Sequence, residues 1–96
     1  MRVMLKATLD TDKGNDAIRG GKMPQIMQEA LEKLKPEAAY YGPCGGRRTC
    51  FMVFDMQESA QLPPLLEPFF TDLNADVEVF PIMNGDDLQK GLSQLA

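Results

Sequence analysis

The sequence predicts an α+β domain whose elements run in the order β-α-β-β-α-β-α. Three stretches carry that expectation. Arg2–Asp10 alternates, with Val3, Leu5, Ala7 and Leu9 on one side and Met4, Lys6 and Thr8 on the other, which is the period of a strand. Met23, Ile26, Met27, Ala30, Leu31 and Leu34 recur at the spacing of one helical stripe, with Gln25, Gln28, Glu29, Glu32 and Lys33 on the solvated side. Arg48–Asp55 reads Arg-Thr-Cys-Phe-Met-Val-Phe-Asp, rich in aromatic and β-branched residues and apolar on both faces. Cys50, Met52 and Phe54 point one way and Phe51 and Val53 the other. A strand with no polar face belongs in a sheet covered on both sides.

The remaining elements follow from local chemistry. Thr11–Gly14 reads as a polar loop, with Asn15 or Asp16 as helix cap. Gly20, Gly21 and Pro24 interrupt the front of the first helical region, so a short turn over Asp16–Arg19 precedes a helix restarting near Lys22. Lys35-Pro36 ends that helix, because the residue before proline disfavours helical geometry. Glu37–Gly42 is the second strand, and Gly45-Gly46 supplies the positive φ angles of a tight hairpin leading back into Arg48–Asp55. The second helical region runs from about Glu58 to Leu73, with Pro68 predicting a kink or two short helices. Asp76–Met83 is the last strand. Asn84 caps a C-terminal helix over Asp86–Leu95 whose stripe is Leu88, Leu92 and Leu95.

Composition narrows the function classes. Ninety-six residues make one domain, and at this size about 64% of the unfolded chain's surface is buried on folding, enough for one modest core. The chain has a net charge of −4 and no basic cluster, which makes it a poor candidate for phosphate-backbone recognition and nucleic acid an unexpected partner. Charges interrupt the apolar N-terminal run and no small-residue cleavage site follows it, so no signal peptide is read there. No apolar run approaches the roughly 20 residues that span a bilayer, and a cytoplasmic protein is expected. Cys44 and Cys50 are then free thiols. Histidine is absent, which removes the commonest general base, and two cysteines alone do not make a zinc site. No cofactor is expected.

With right-handed crossovers, the first six elements give the split β-α-β, ferredoxin-like arrangement with strand order 4-1-3-2. Both crossover regions then lie on one face of the antiparallel sheet. The other face, roughly 450 Å² for four seven-residue strands, carries apolar residues whichever register holds. Two-fold pairing covers it most simply, so a homodimer through the open sheet face is expected. The competing arrangement folds the C-terminal helix back over its own sheet.

The hairpin strand Arg-Thr-Cys-Phe-Met-Val-Phe-Asp and the ending Val-Glu-Val-Phe-Pro-Ile-Met-Asn-Gly-Asp-Asp-Leu resemble those of the dimeric α/β-barrel proteins. The segments Leu34–Tyr40 and Leu73–Val77 are also similar to a group of small uncharacterised bacterial proteins. The resemblance implies a pocket between sheet and helices, or between two sheets, used elsewhere for cofactor-free oxygenation, isomerisation, cyclisation or haem degradation.

The candidate ligand-binding residues are Lys6, Thr8, Tyr41, Cys50, Met52 and Glu78. In a face-to-face dimer Lys6 and Thr8 line the interior, where a desolvated lysine binds an anion or acts as a base; the plainer reading is a lysine paired with Glu78. Glu78 is either a proton shuttle or a charge guarding an edge strand. Tyr40 and Tyr41 point to opposite faces, so one at most lines a cavity. With Gly45-Gly46 as central turn residues, Cys50 stands opposite Tyr41 and Cys44 opposite Arg47, which separates the two thiols. Met52 is a soft wall for an apolar ligand or ordinary core filling. Arg47 and Arg48 either guard a pocket mouth or are simply solvated. The function expected is a dimer that binds a small, partly apolar molecule, as a cofactor-independent oxygenase, isomerase or cyclase would. The alternative is a non-catalytic structural or interaction module.

Overall fold

A computed structural model describes residues 1–95. Strand β1 (Arg2–Thr8) is the centre of a four-stranded antiparallel sheet ordered β2-β3-β1-β4, where β2 is Ala38–Cys44, β3 is Arg47–Asp55 and β4 is Asp76–Pro81. This is the ferredoxin-like order expected from the sequence. Leu5 lies opposite Met52 of β3 and Val79 of β4, and Ala7 opposite Cys50 and Val77. Side-chain alternation therefore stacks Val3, Leu5, Ala7, Cys50, Met52 and Phe54 on one face, where all are buried. Phe69 and Leu73 from the covering helices close over them.

The first of the helices that cover this face begins earlier than the sequence reading placed it. Thr11–Gly14 is not a loop. Asp10, held extended, accepts a hydrogen bond from the Lys13 amide at 3.0 Å and caps helix α1 (Thr11–Arg19). The start was hidden because α1 buries only small residues, Gly14 and Ala17, so no apolar stripe announces it. Gly21, with φ of +70°, separates α1 from α2 (Met23–Leu34), which carries Pro24 in its first turn. Lys35 closes α2 in the left-handed conformation, its amide bonded to the Leu31 carbonyl at 2.9 Å, just ahead of Pro36.

Strand β2 continues past Gly42 through Pro43, which an edge strand accepts because the missing donor faces no neighbour. Gly45 and Gly46 have φ of +64° and +77°, the pair of positive values that a two-residue type I′ hairpin requires. After β3, a 3₁₀ turn over Ser59–Gln61 leads directly into α3 (Leu62–Leu73). Of the kink or two short helices expected at Pro68, the division into two does not occur. The helix runs through Pro68, leaving the Pro64 carbonyl without its usual intrahelical partner. Asn74, left-handed, ends α3, and its amide bonds to the Phe70 carbonyl at 3.0 Å. Strand β4 stops at Pro81, short of the expected Met83.

Helix α4 (Gly85–Leu92) begins at the expected cap. The Asn84 side chain accepts from the Asp87 amide at 2.8 Å, while Asp87 reaches back to the Asn84 amide at 3.2 Å. A 3₁₀ turn over Ser93–Leu95 follows. This helix does not fold back over the sheet. Leu88, Leu92 and Leu95 are 45%, 56% and 78% exposed, and the described tie to the sheet is the Asp87–Arg2 ion pair at 3.0 Å. With α4 standing away, the molecule is 55 Å long against 28 and 18 Å in its other dimensions. The second sheet face stays open, with Tyr40 and Phe80 exposed and Met4, Phe51 and Val53 half-buried.

Candidate functional site

Strand β2 extends the sheet beyond the helices that cover β1 and β3, and the step between them is a cavity. It measures about 370 Å³ and lies between α1, α2 and the β2–β3 hairpin. Cys50 forms its base because even-numbered residues of β3 face the helices, and Tyr41 stands opposite Cys50 in register. Ile18 of α1 and Met23 and Met27 of α2 supply the facing wall, with Leu9 and Pro43 at the ends. These are the half-buried or exposed ends of stripes whose deeper members fill the core. The volume is at the lower end of the range for small-molecule sites and well above the roughly 150 Å³ of a cavity that holds benzene.

The two polar tips of this cavity are held neutral. Burial pushes the Cys50 thiol up to about 11, the backbone hydrogen bond at Ala7 lowering it only in part. Burial also raises the Tyr41 hydroxyl, and the neighbouring thiol adds to that. At neutral pH both are donors or acceptors without charge. Cys50 is therefore no nucleophile, because thiolate is the reactive form. Arg48, on the same face of β3, lies at the mouth, and its Nη2 donates to the Asn15 side-chain oxygen at 3.0 Å.

The six candidates from the sequence do not form one site. Tyr41 and Cys50 line the cavity just described. Met52 shares their face but is fully buried, so it is core filling and not a ligand contact. Lys6, Thr8 and Glu78 lie on the opposite, open face, around a separate depression of about 360 Å³ that also takes in Cys44, Arg47 and Asp76. Lys6 Nζ and Glu78 Oε2 are 4.0 Å apart, a loose pair with Glu78 largely in solvent, and exposed pairs of this kind contribute about 0–1 kcal/mol. Arg47 is better tied. It donates to Asp76 and to the Leu9 carbonyl, both at 3.0 Å, pinning the hairpin to β1 and β4. A wider hollow over Lys13, Asp16, Glu29 and Asp72 is lined by solvated charges of both signs.

The contributions of Ile18, Met23 and Met27 were missed as site residues because a helical stripe reads as core. The signal was available in the parity of β3, which puts Arg48, Cys50 and Met52 on one face. Among the described residues no group of carboxylates and thiols is arranged to hold a metal ion, and no helix is long and apolar enough to cross a membrane.

Fold and cavity together define a ferredoxin-like α+β domain with an apolar recess between its helices and its hairpin. The chain belongs to the family described as a domain of unknown function (DUF3303), whose model matches residues 1–96. No match to the chain was found among curated proteins.

Proposed function

We propose that this protein is a homodimer, paired through its open sheet face in the manner of the dimeric α/β-barrel proteins, that binds a small, partly apolar molecule in the recess of each subunit. The observation that carries the ligand reading is the 370 Å³ recess itself, apolar on its walls with two uncharged polar tips, Tyr41 and Cys50. Such a lining orients a ligand without supplying a strong base. Binding is therefore the primary role, and any turnover is of the cofactor-independent kind, oxygenation, isomerisation or cyclisation, in which positioning does most of the work.

Pairing is supported by the exposed Tyr40 and Phe80 and by the half-buried Phe51 and Val53 between them. Two sheet faces contribute about 900 Å² together, below the roughly 1,200–2,000 Å² of stable interfaces. The unpartnered Leu88–Leu92–Leu95 stripe of α4, laid on the partner, supplies the rest. In this arrangement the Lys6–Glu78 pair lies between the sheets and sets their register. The second reading, a non-catalytic interaction module, is favoured by that same exposed α4 stripe.

Thermal melting with neutral partly apolar probes such as 2-naphthol and indole tests the recess. A probe at one hundred times its Kd stabilises by about 2.7 kcal/mol, which raises Tm by about 10 °C or more in a domain of this size. No shift with any probe refutes the ligand reading. Sedimentation equilibrium at micromolar concentration tests the pairing: a dimer is expected, and Phe51→Glu, with unchanged circular dichroism, is expected to run as a monomer. A wild-type species of 10.7 kDa alone refutes it.

A further inference from the structure

We infer that the recess takes an amphiphilic carboxylate, its apolar body against Met23, Met27 and Cys50 and its carboxylate on Arg48. This rests on the reading of the recess as a ligand site and names the class of ligand. Three arginines project from β1 and β3, and they are treated differently. Arg2 holds Glu37 at 2.6 Å and Asp87 at 3.0 Å, and Arg47 holds Asp76 at 3.0 Å. Arg48 has only the neutral amide of Asn15, and no carboxylate lies within ion-pair distance of it among the described residues. Among the arginines of the sheet, Arg48 is the one that both lines the recess and has no carboxylate partner.

The geometry around Arg48 is also built. Its backbone carbonyl accepts from the Leu9 amide at 2.8 Å, which fixes the start of the side chain. The side chain then lies along α1 at the one buried position that has no side chain, Gly14. A methyl group there would stand 3.0 Å from Nη1 and 3.8 Å from Cδ and Cζ. The aliphatic stem so becomes part of the recess wall, and the exposed guanidinium, bonded to Asn15, has further donors free just beyond that wall. A guanidinium fork matches one carboxylate bidentately. A single fork does not neutralise a dianion, so a phosphate monoester is disfavoured.

Octanoate, 1-octanol and octyl phosphate share one tail and separate the possibilities. Isothermal titration of the full chain is expected to show octanoate binding at least about tenfold tighter than octanol, the usual range for a hydrogen bond to a charged group. Arg48→Ala is expected to erase that preference, octanoate and octanol then binding equally, since loss of the stem from the recess wall weakens both tails alike. Arg48→Lys, which keeps the charge but not the fork, is expected to retain only part of it. Equal binding of octanoate and octanol to the wild type, or a preference that survives in Arg48→Ala, overturns the inference and leaves the recess reading standing. Octyl phosphate binding tighter than octanoate overturns the carboxylate assignment. Failure of all three to bind overturns this inference, and the recess reading falls with it where 2-naphthol and indole also give no shift.

Discussion

Gly14→Ala is the most informative single substitution, because competing readings of its surroundings predict opposite signs. Gly14 is a helical residue of α1, and glycine inside a helix costs about 1 kcal/mol relative to alanine. Against that gain stands the contact a new methyl makes with Arg48 Nη1, 3.0 Å away. Nη1 is the far end of a flexible side chain, and the stem atoms at 3.8 Å are in ordinary contact, so the guanidinium swings aside. The loss is its hydrogen bond to Asn15, solvent-exposed and therefore at the low end of the usual range, about 0.5 kcal/mol. The balance is a stabilisation of about 0.5 kcal/mol, or a rise of about 2–4 °C in Tm for a domain of this length. If instead α1 needs the empty position for close backbone packing, overfilling costs about 1–3 kcal/mol and Tm falls. Calorimetric melting of Gly14→Ala, alone and with Arg48→Ala, separates these cases. In the double variant the contact is gone, and the full helix gain of about 1 kcal/mol is expected. A fall in Tm in both backgrounds refutes the account of Arg48 lying over Gly14.

The two cysteines give a second prediction. Cys44, half-exposed beside the hairpin turn, is expected to react with Ellman's reagent at pH 8 within minutes, while buried Cys50 reacts only after unfolding; two equally fast thiols would contradict the burial of the recess base. The raised Cys50 value also sets a sign with pH. Above an ordinary thiol value near 9.0 the unfolded chain gives up this proton while the folded chain holds it until about 11. That contribution is complete below pH 9 and is lost as pH rises through about 11, so Cys50→Ala is expected to melt with a shallower alkaline decline than the wild type. Removal of residues 85–96 is expected to leave the sheet's melting little changed, because α4 is tied to it through Asp87 and Arg2, while weakening any dimer severalfold in sedimentation. A truncated chain that fails to fold would show that α4 belongs to the subunit's own core.

Strands β1 and β3 were legible because each alternates without interruption and their apolar residues are large. The hairpin was legible because two consecutive glycines leave few other turns. Helix α1 was not, since what its buried side presents is a glycine and an alanine, and hydrophobic periodicity does not register small residues. The start of α3 was placed too early, because the 3₁₀ turn over Ser59–Gln61 leads into it without a change that hydrophobic periodicity registers, and Pro68 did not divide the helix. The candidate site was half legible. Pairing of Tyr41 with Cys50 and of Lys6 with Glu78 followed from register alone. Which face the helices would cover required the whole fold, and that choice divided the six candidates between two sides of one sheet.

The prolines at the two sheet margins have a consequence for how copies of this chain meet. Strand β2 carries Pro43 and strand β4 ends on Pro81, with Asp76 and Glu78 pointing into water between them. Pro43 interrupts the outer ladder of β2, while β4 guards its free run from Asp76 to Phe80 with two carboxylates. Side-by-side growth into a ribbon is thereby disfavoured, most strongly at the β2 border. Any association of copies is turned away from that border and toward the open face.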